Sequence, residues 1–373
     1  MPPAVSRRIL GTLISLLGIG SADQTAQAAH FQIIADVSGG PQIGAIYRKA
    51  IYGTLPFVGS GVLFSLSTSG QYTALHTFNA LTDGSAPNAR LAIDAKGNLF
   101  GTTPLGGANG AGTLWEYSAS GVFSTLHSFG AAGDGISPVQ GPSLVGRNGI
   151  AGTASQGAIN DNGNIFSLSE KGDVYSVLYE FQSGTDGHCP FSGLAVGKNG
   201  ALYGTTIGRG WGGNPNGGVW QFTQSKGLQT LYVFTNGADG EWPDQAPAVD
   251  QKGNAFGTTH IQNGSGFAGA VWALSAAGHF SVLHDLNAAD DGFGPNSPLL
   301  LDAADGNLYG TTASGGTYND GTVFSISPAG VFKVVHMFTG GTDGANPTGN
   351  LIQDSNGKIF GGTAFGSVFM IKP

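Results

Sequence analysis

Charge is scarce in this chain. Lys, Arg, Asp and Glu make up 10% of 373 residues, and the net charge of −8 is spread thinly. No Lys/Arg run exists beyond Arg7-Arg8 and Arg48-Lys49, so the basic stripe that a nucleic-acid partner needs is missing. Cysteine is scarcer still. Cys189 stands alone, which excludes an intramolecular disulfide and leaves stability to packing. Catalytic signatures are also lacking: there is no G-x-S-x-G elbow, H-E-x-x-H pair, P-loop or C-x-x-C. Gly-rich stretches such as Gly106-Gly107 and Gly212-Gly213 come without the Lys that phosphate binding wants. Nothing marks a haem or quinone site, and no cofactor is expected.

Glycine, by contrast, is abundant, at 65 residues, beside a hydrophobic fraction of 40%. A disordered chain lacks that much apolar surface, so the glycines read as tight turns in a packed fold. The N-terminus reads as a signal peptide over residues 1–28. Arg7 and Arg8 form its basic region, Ile9 to Ile19 its short apolar stretch, and Ala26-Gln27-Ala28 its cleavage site. The apolar run is short for a bilayer; a buried helix or tether is the alternative reading. Ser6-Arg7-Arg8-Ile9-Leu10 loosely fits a twin-arginine signal, so the export route stays open. No apolar tail closes the chain at Pro373. A secreted or periplasmic protein is expected, released as a monomer without stable membrane insertion.

Self-similarity dominates the mature chain, 29–373. An aromatic-Gly-Thr core recurs at Tyr52-Gly53-Thr54, Phe100-Gly101-Thr102, Tyr203-Gly204-Thr205, Phe256-Gly257-Thr258 and Tyr309-Gly310-Thr311. Ala151-Gly152-Thr153 and Phe360-Gly361-Gly362-Thr363 are degenerate copies. The spacing between glycines is 48 to 53 residues, the length of a four-stranded propeller blade. The units span 43–79, 88–129, 141–181, 192–234, 245–286, 297–338 and 349–371. Each holds four short apolar runs, a to d, punctuated by turn residues. The last unit supplies only a, b and c. Its missing strand d is found at 31–37, which aligns with Phe123 to Phe129. The fold expected is therefore an all-β, seven-bladed β-propeller, its ring closed by the N-terminal strand joining the last blade. A solenoid or stacked sandwich would have no use for this circular offset.

The segments Phe338-Thr339-Gly340-Gly341-Thr342-Asp343-Gly344-Ala345-Asn346-Pro347, Gly306-Asn307-Leu308-Tyr309-Gly310-Thr311-Thr312 and Gly321-Thr322-Val323-Phe324 carry a family likeness. They resemble the Gloeobacter/Verrucomicrobia-type (GloVer) tandem repeat of bacterial secreted proteins, over nearly the whole mature chain. The resemblance implies an exported, propeller-like protein, often bearing a sorting anchor, which this chain does not show. It implies no catalytic residue.

Repetition also separates scaffold from site. His76, His127, His284 and His336 recur in strand d, with Tyr179 and Tyr232 in their place elsewhere; packing between blades explains all six. Trp115, Trp220 and Trp272 alternate with Phe in strand c and read as core. Asp83, Asp134, Asp186, Asp239, Asp291 and Asp343 each precede Gly in the loop after strand d. Calcium is one reading, but the local ligand ladder is missing and an Asx-turn is favoured, so no metal is expected.

Strands alternate in direction, so the short a–b and c–d turns share one face and the long b–c and d–a loops the other. Ligands are expected on the long-loop face. The residues that depart from the repeat cluster there, in units four and five: His188, Arg209, Trp211, Glu241, Trp242, Asp244 and His260. Neutral drift of surface loops is the alternative. Two functions follow. The first is an extracellular binding module for a glycan or cell-surface ligand, with Trp211, Glu241, Trp242 and Asp244 as contacts. The second is a carbohydrate-active enzyme, foremost a polysaccharide lyase. There Arg209 would neutralise the uronate carboxylate, and His188 or His260 would take the C5 proton.

Overall fold

In a computed structural model, residues 31–87, 90–146, 149–169, 174–182, 184, 186–208, 216–260 and 268–373 are described. The proposed signal peptide lies outside them. The architecture is a seven-bladed β-propeller of small antiparallel sheets. Blade one consists of Gln42–Tyr47, Ala50–Leu55, Val62–Ser67 and Tyr72–Thr77, its strands a to d. Blade four consists of Ala195–Val196, Leu202–Thr206, Gly218–Thr223 and Gly227–Val233; blade five of Ala248–Val249, Ala255–Thr259, Ala270–Leu274 and Phe280–Asp285. Blade six has Leu300–Leu301, Leu308–Ser314, Thr322–Ile326 and Phe332–Met337, and Phe293–Pro295 pairs with the far end of its strand b. Blade seven takes Pro347–Gln353, Ile359–Thr363 and Ser367–Ile371 from the C-terminus, and Phe31–Asp36 from the N-terminus.

The ring is closed. Strand a of each blade touches strand a of the next, and that of blade seven touches that of blade one. Phe31 pairs with Ile371 and Asp36 with Ser367, so the N-terminal strand completes the last sheet. Among the described residues no helix is long and apolar enough to cross a membrane.

The repeated glycine has a packing cause. A Cβ on Gly53, Gly101, Gly152, Gly204, Gly257, Gly310 or Gly361 would intrude on the strand c aromatic of the same blade: Phe64, Trp115, Phe166, Trp220, Trp272, Phe324 and Phe369 respectively. Strand b thus lies flush against a ring that is fully buried. The core sits between blades, as apolar clusters at every interface and two of them between blades four and five. Phe78, Leu99 and Trp115 fill one such interface, and Val219, Phe234 and Trp272 another.

The strand d rings pack as expected. His76 stacks on Phe123 of the next blade, His284 on Phe332, and Tyr232 on Phe280, with centroids 3.7, 3.9 and 3.7 Å apart. Each polar tip meets the Asp of the following loop. His76 Nε2 lies 3.0 Å from Asp83, His127 2.7 Å from Asp134, and the Tyr232 hydroxyl donates to Asp239 at 2.9 Å. The same carboxylates accept backbone N–H groups, as Asp83 does from Asn79 and Asp239 from Thr235 and Gly237. Burial and the Asp239 carboxylate push the Tyr232 hydroxyl up to about 12.

Strand d carries an irregularity in every blade. The strand c–d register shifts at one place in every blade, as between Leu63/Phe64 and Val323/Phe324, and in blade seven between Ile33/Ala35. Val335 is therefore the extra residue of a β-bulge, and strand d does not alternate strictly along its length.

Candidate functional site

The long-loop face is organised by one recurring turn. After each Asp-Gly comes a residue, then one in the left-handed region, then proline. The left-handed residues are Ala86, Ser137, Cys189, Trp242, Gly294 and Asn346, with φ between 51° and 65°, and each is followed by Pro. Gly40, with φ of 66° before Pro41, provides the seventh. In blades three, four, five and seven the carbonyl of this residue accepts the N–H of the residue that follows strand b: Ser155 to Ser137, Ile207 to Cys189, His260 to Trp242, Ala364 to Asn346. These bonds tie the b–c loops of those four blades to the d–a loop that enters the same blade.

This scaffold assembles four of the candidate residues in blade five. The His260 N–H reaches the carbonyls of Glu241 and Trp242 at 3.2 and 3.3 Å. The His260 imidazole Nδ1 lies 3.5 Å from Asp244 Oδ2. That separation is long for a hydrogen bond and short for an ion pair. The interaction with the Asp244 carboxylate raises the imidazole pKa, against the opposing effect of burial. The opposite edge of the ring faces Gly294 of blade six, where a Cβ would stand 3.4 Å from Nε2. Glu241 is only 6% exposed, and desolvation raises its carboxyl above the ordinary range. Trp242 is 41% exposed despite its left-handed backbone. A bulky residue gains nothing from that conformation, so the fold alone does not account for a tryptophan there.

His188 occupies the same turn position one blade earlier as Glu241 does, and is 5% exposed. It is a buried loop residue, with its surface turned from solvent. Arg209 and Trp211 lie outside the described residues. Among the described residues no three His, Cys, Asp or Glu side chains converge as metal ligands.

The same face carries exposed apolar side chains that the reading of units four and five passed over. Phe57, Tyr318 and Phe365 project from the b–c loops of blades one, six and seven, at 80%, 53% and 76% exposure. Leu81, Leu105 and Ile159 are also exposed there. On the opposite face the most exposed are Val122, Val174 and Val331, which hold one repeat position before strand d. The available signal was the same departure from repetition, here in apolar residues. At the axis, the strand a segments line a channel of about 590 Å³.

The model of the Gloeobacter/Verrucomicrobia repeat matches residues 35–214 and again 143–369. The chain belongs to that family. The two matches overlap and together take in every blade, as expected of a repeat read in successive frames. No curated protein matches the sequence. Among solved structures, virginiamycin B lyase from Staphylococcus aureus is similar at a TM-score of 0.61 and 12% identity, covering 92% of this chain and 98% of that one. The extracellular domain of a hybrid two-component system from B. thetaiotaomicron gives 0.64 and 12%, covering 91% of this chain and 39% of that one. A gluconolactonase from Xanthomonas campestris gives 0.51 and 14%, covering 93% and 92%. At such identities the likeness is one of fold.

Proposed function

We propose that the protein is an exported binding module whose long-loop face recognises a glycan or a cell-surface partner. The observation that carries this is the one-sidedness of the exposed, non-repeated side chains. Trp242, Phe57, Tyr318 and Phe365 stand on the long-loop face together with the Asp244–His260 pair. Aromatic surface of this kind suits stacking on sugar rings or packing against an apolar partner surface. The His260 imidazole, whose pKa the Asp244 carboxylate raises, adds a ring N–H donor for a carboxylate or hydroxyl oxygen. The fold does not by itself decide the function: the similar structures include virginiamycin B lyase and the extracellular domain of a hybrid two-component system.

A glycan array and pull-downs on cell-envelope fractions test the reading. Saturable binding is expected, weakened about ten-fold or more by Trp242→Ala, in line with truncation of an aromatic anchor. The absence of any bound polysaccharide or envelope component would overturn it. Release of unsaturated uronate from a polysaccharide by the wild type, lost in His260→Ala, would assign the site to a lyase instead.

A further inference from the structure

Blade five breaks the repeat inside its core. Two residues before the strand b glycine stand Ile51, Leu99, Ile150, Leu202, Leu308 and Ile359 in the other blades, all buried, and Ala255 in blade five. The long side chain joins one apolar cluster with the preceding blade, as Leu308 does with Phe256 and Ile359 with Tyr309. At Ala255 the interface splits. Val219, Phe234, Trp272 and Leu274 gather with Ala255, whereas Tyr203 of blade four falls in a second cluster with Ala195 and Ala201. A cavity of about 280 Å³ lies between the two, bordered by Tyr203, Leu231, Ala255 and Leu274. It opens on the short-turn face, beside Gly253 of the a–b turn of blade five and Ala276 of its c–d turn.

The lining is part apolar and part polar. Leu231 and Leu274 provide the first, Tyr203 and Gln221 the second. Gln221 pairs with Tyr203 across strands c and b, and its side-chain amide donates to the Tyr203 hydroxyl. The residues in Gln221's place are Ser65, Glu116, Ser167, Ala273, Ser325 and Met370, so no other blade joins a tyrosine to an amide here. The hydroxyl accepts that bond, which leaves its own proton and the Gln221 side-chain carbonyl for a further partner. No charged side chain lines the cavity among the described residues, so an ion would enter without a counter-charge.

A leucine-to-alanine gap in a packed core weakens a fold. Blade five combines that gap with a donor and an acceptor at its edge. We propose that the cavity binds a small, uncharged ring compound carrying a hydroxyl group, with its ring against Leu231 and Leu274 and its hydroxyl on Tyr203 and Gln221. A hydroxyl both accepts and donates, so it answers both groups at once. The volume falls just under the roughly 300 Å³ at which drug-sized sites begin, which suits a single ring. The site lies on the face opposite Trp242 and does not depend on the glycan surface.

Ligand-observed NMR and calorimetric titration of the full mature chain at pH 7 with phenol, toluene and benzoate test this. The wild type should bind phenol at one site per chain, toluene about five- to ten-fold more weakly, the worth of a neutral hydrogen bond, and benzoate not measurably. Tyr203→Phe should lower phenol to the level of toluene and leave toluene unchanged, which also reports an intact cavity. Ala255→Leu restores the side chain that the other blades carry. It should abolish binding of both compounds without lowering the thermal midpoint. Trp242→Ala should change neither, which separates this site from the glycan surface. The proposal is overturned if the wild type shows no saturable phenol binding, if benzoate binds as well as phenol, if Tyr203→Phe keeps the full affinity for phenol, or if folded Ala255→Leu retains it.

Discussion

Gly257 and Trp242 obey opposite demands. At Gly257 the fold decides, because a methyl group would press into the buried Trp272 ring and the same contact recurs in every blade. Gly257→Ala should cost about 1–3 kcal/mol through overpacking, measured by urea denaturation. Trp242→Ala removes an exposed ring from a left-handed position, and stability should stay within about 0.5 kcal/mol while ligand binding falls. His260 adds a pH signature. Its folded pKa lies above the ordinary 6.5 because of Asp244. The pair's contribution is therefore full below pH 6.5 and is lost as pH rises through the folded value. Affinity for an acidic ligand should decline over that same interval, and a titration of affinity against pH should be flat in His260→Gln. At this scale the sequence was informative where a residue broke the repeat: Glu241, Trp242, Asp244 and His260 are such breaks, and the turn bonds bring them together. The Asp244–His260 ion pair was not legible, since it crosses from a d–a loop to a b–c loop.

Among the strands, the N-terminal one bears most on the fold. Phe31 stacks on His336 at 3.5 Å and also contacts Phe338 and Phe369, so a single side chain joins blades six and seven. Phe31 is partly buried, so Phe31→Ala should cost about 2–3 kcal/mol, at or below the low end for a buried aromatic truncation, and a drop in the thermal midpoint would report it. This role was legible from the alignment of 31–37 with Phe123 to Phe129, because the apolar spacing of a strand d is distinctive. The bulge in that strand was hidden. Around the bulge Ile33, Ile34 and Ala35 are all apolar, Ile33 packing towards blade six and Ile34 and Ala35 towards blade one, as a sheet between two others requires. A shift of one residue therefore leaves the apolar pattern unchanged, and only the backbone register reveals it. The blades themselves were legible because the demand for glycine beneath the strand c aromatic recurs with the blade's period.

The whole molecule is a ring of near-equivalent interfaces, so its energy should depend little on where the covalent chain is broken. Strand c of blade six ends at Ile326 and is joined by Ser327 to Val331 to Phe332, its pairing partner in strand d. In blade seven the same pairing links Ile371 to Phe31, with Lys372-Pro373 standing where Ser327-Pro328 stand in blade six. Adding Ala-Gly-Val after Pro373 and fusing it to Phe31 would copy that turn. New ends can then be opened in the exposed c–d turn of blade five at Ala277. The closing strand moves from blade seven to blade five, and the number of long-range closures stays the same. The loop-closure entropy, which varies only slowly with loop length, is nearly unchanged. The permutant should therefore unfold in one cooperative transition with a midpoint close to that of the parent, measured by calorimetry. A chain lacking residues up to 37 should melt lower and associate through the bare edge of Ser367–Ile371. If the permutant instead unfolded in two steps, the blade seven seam would be a special weak interface and the ring would not be energetically uniform.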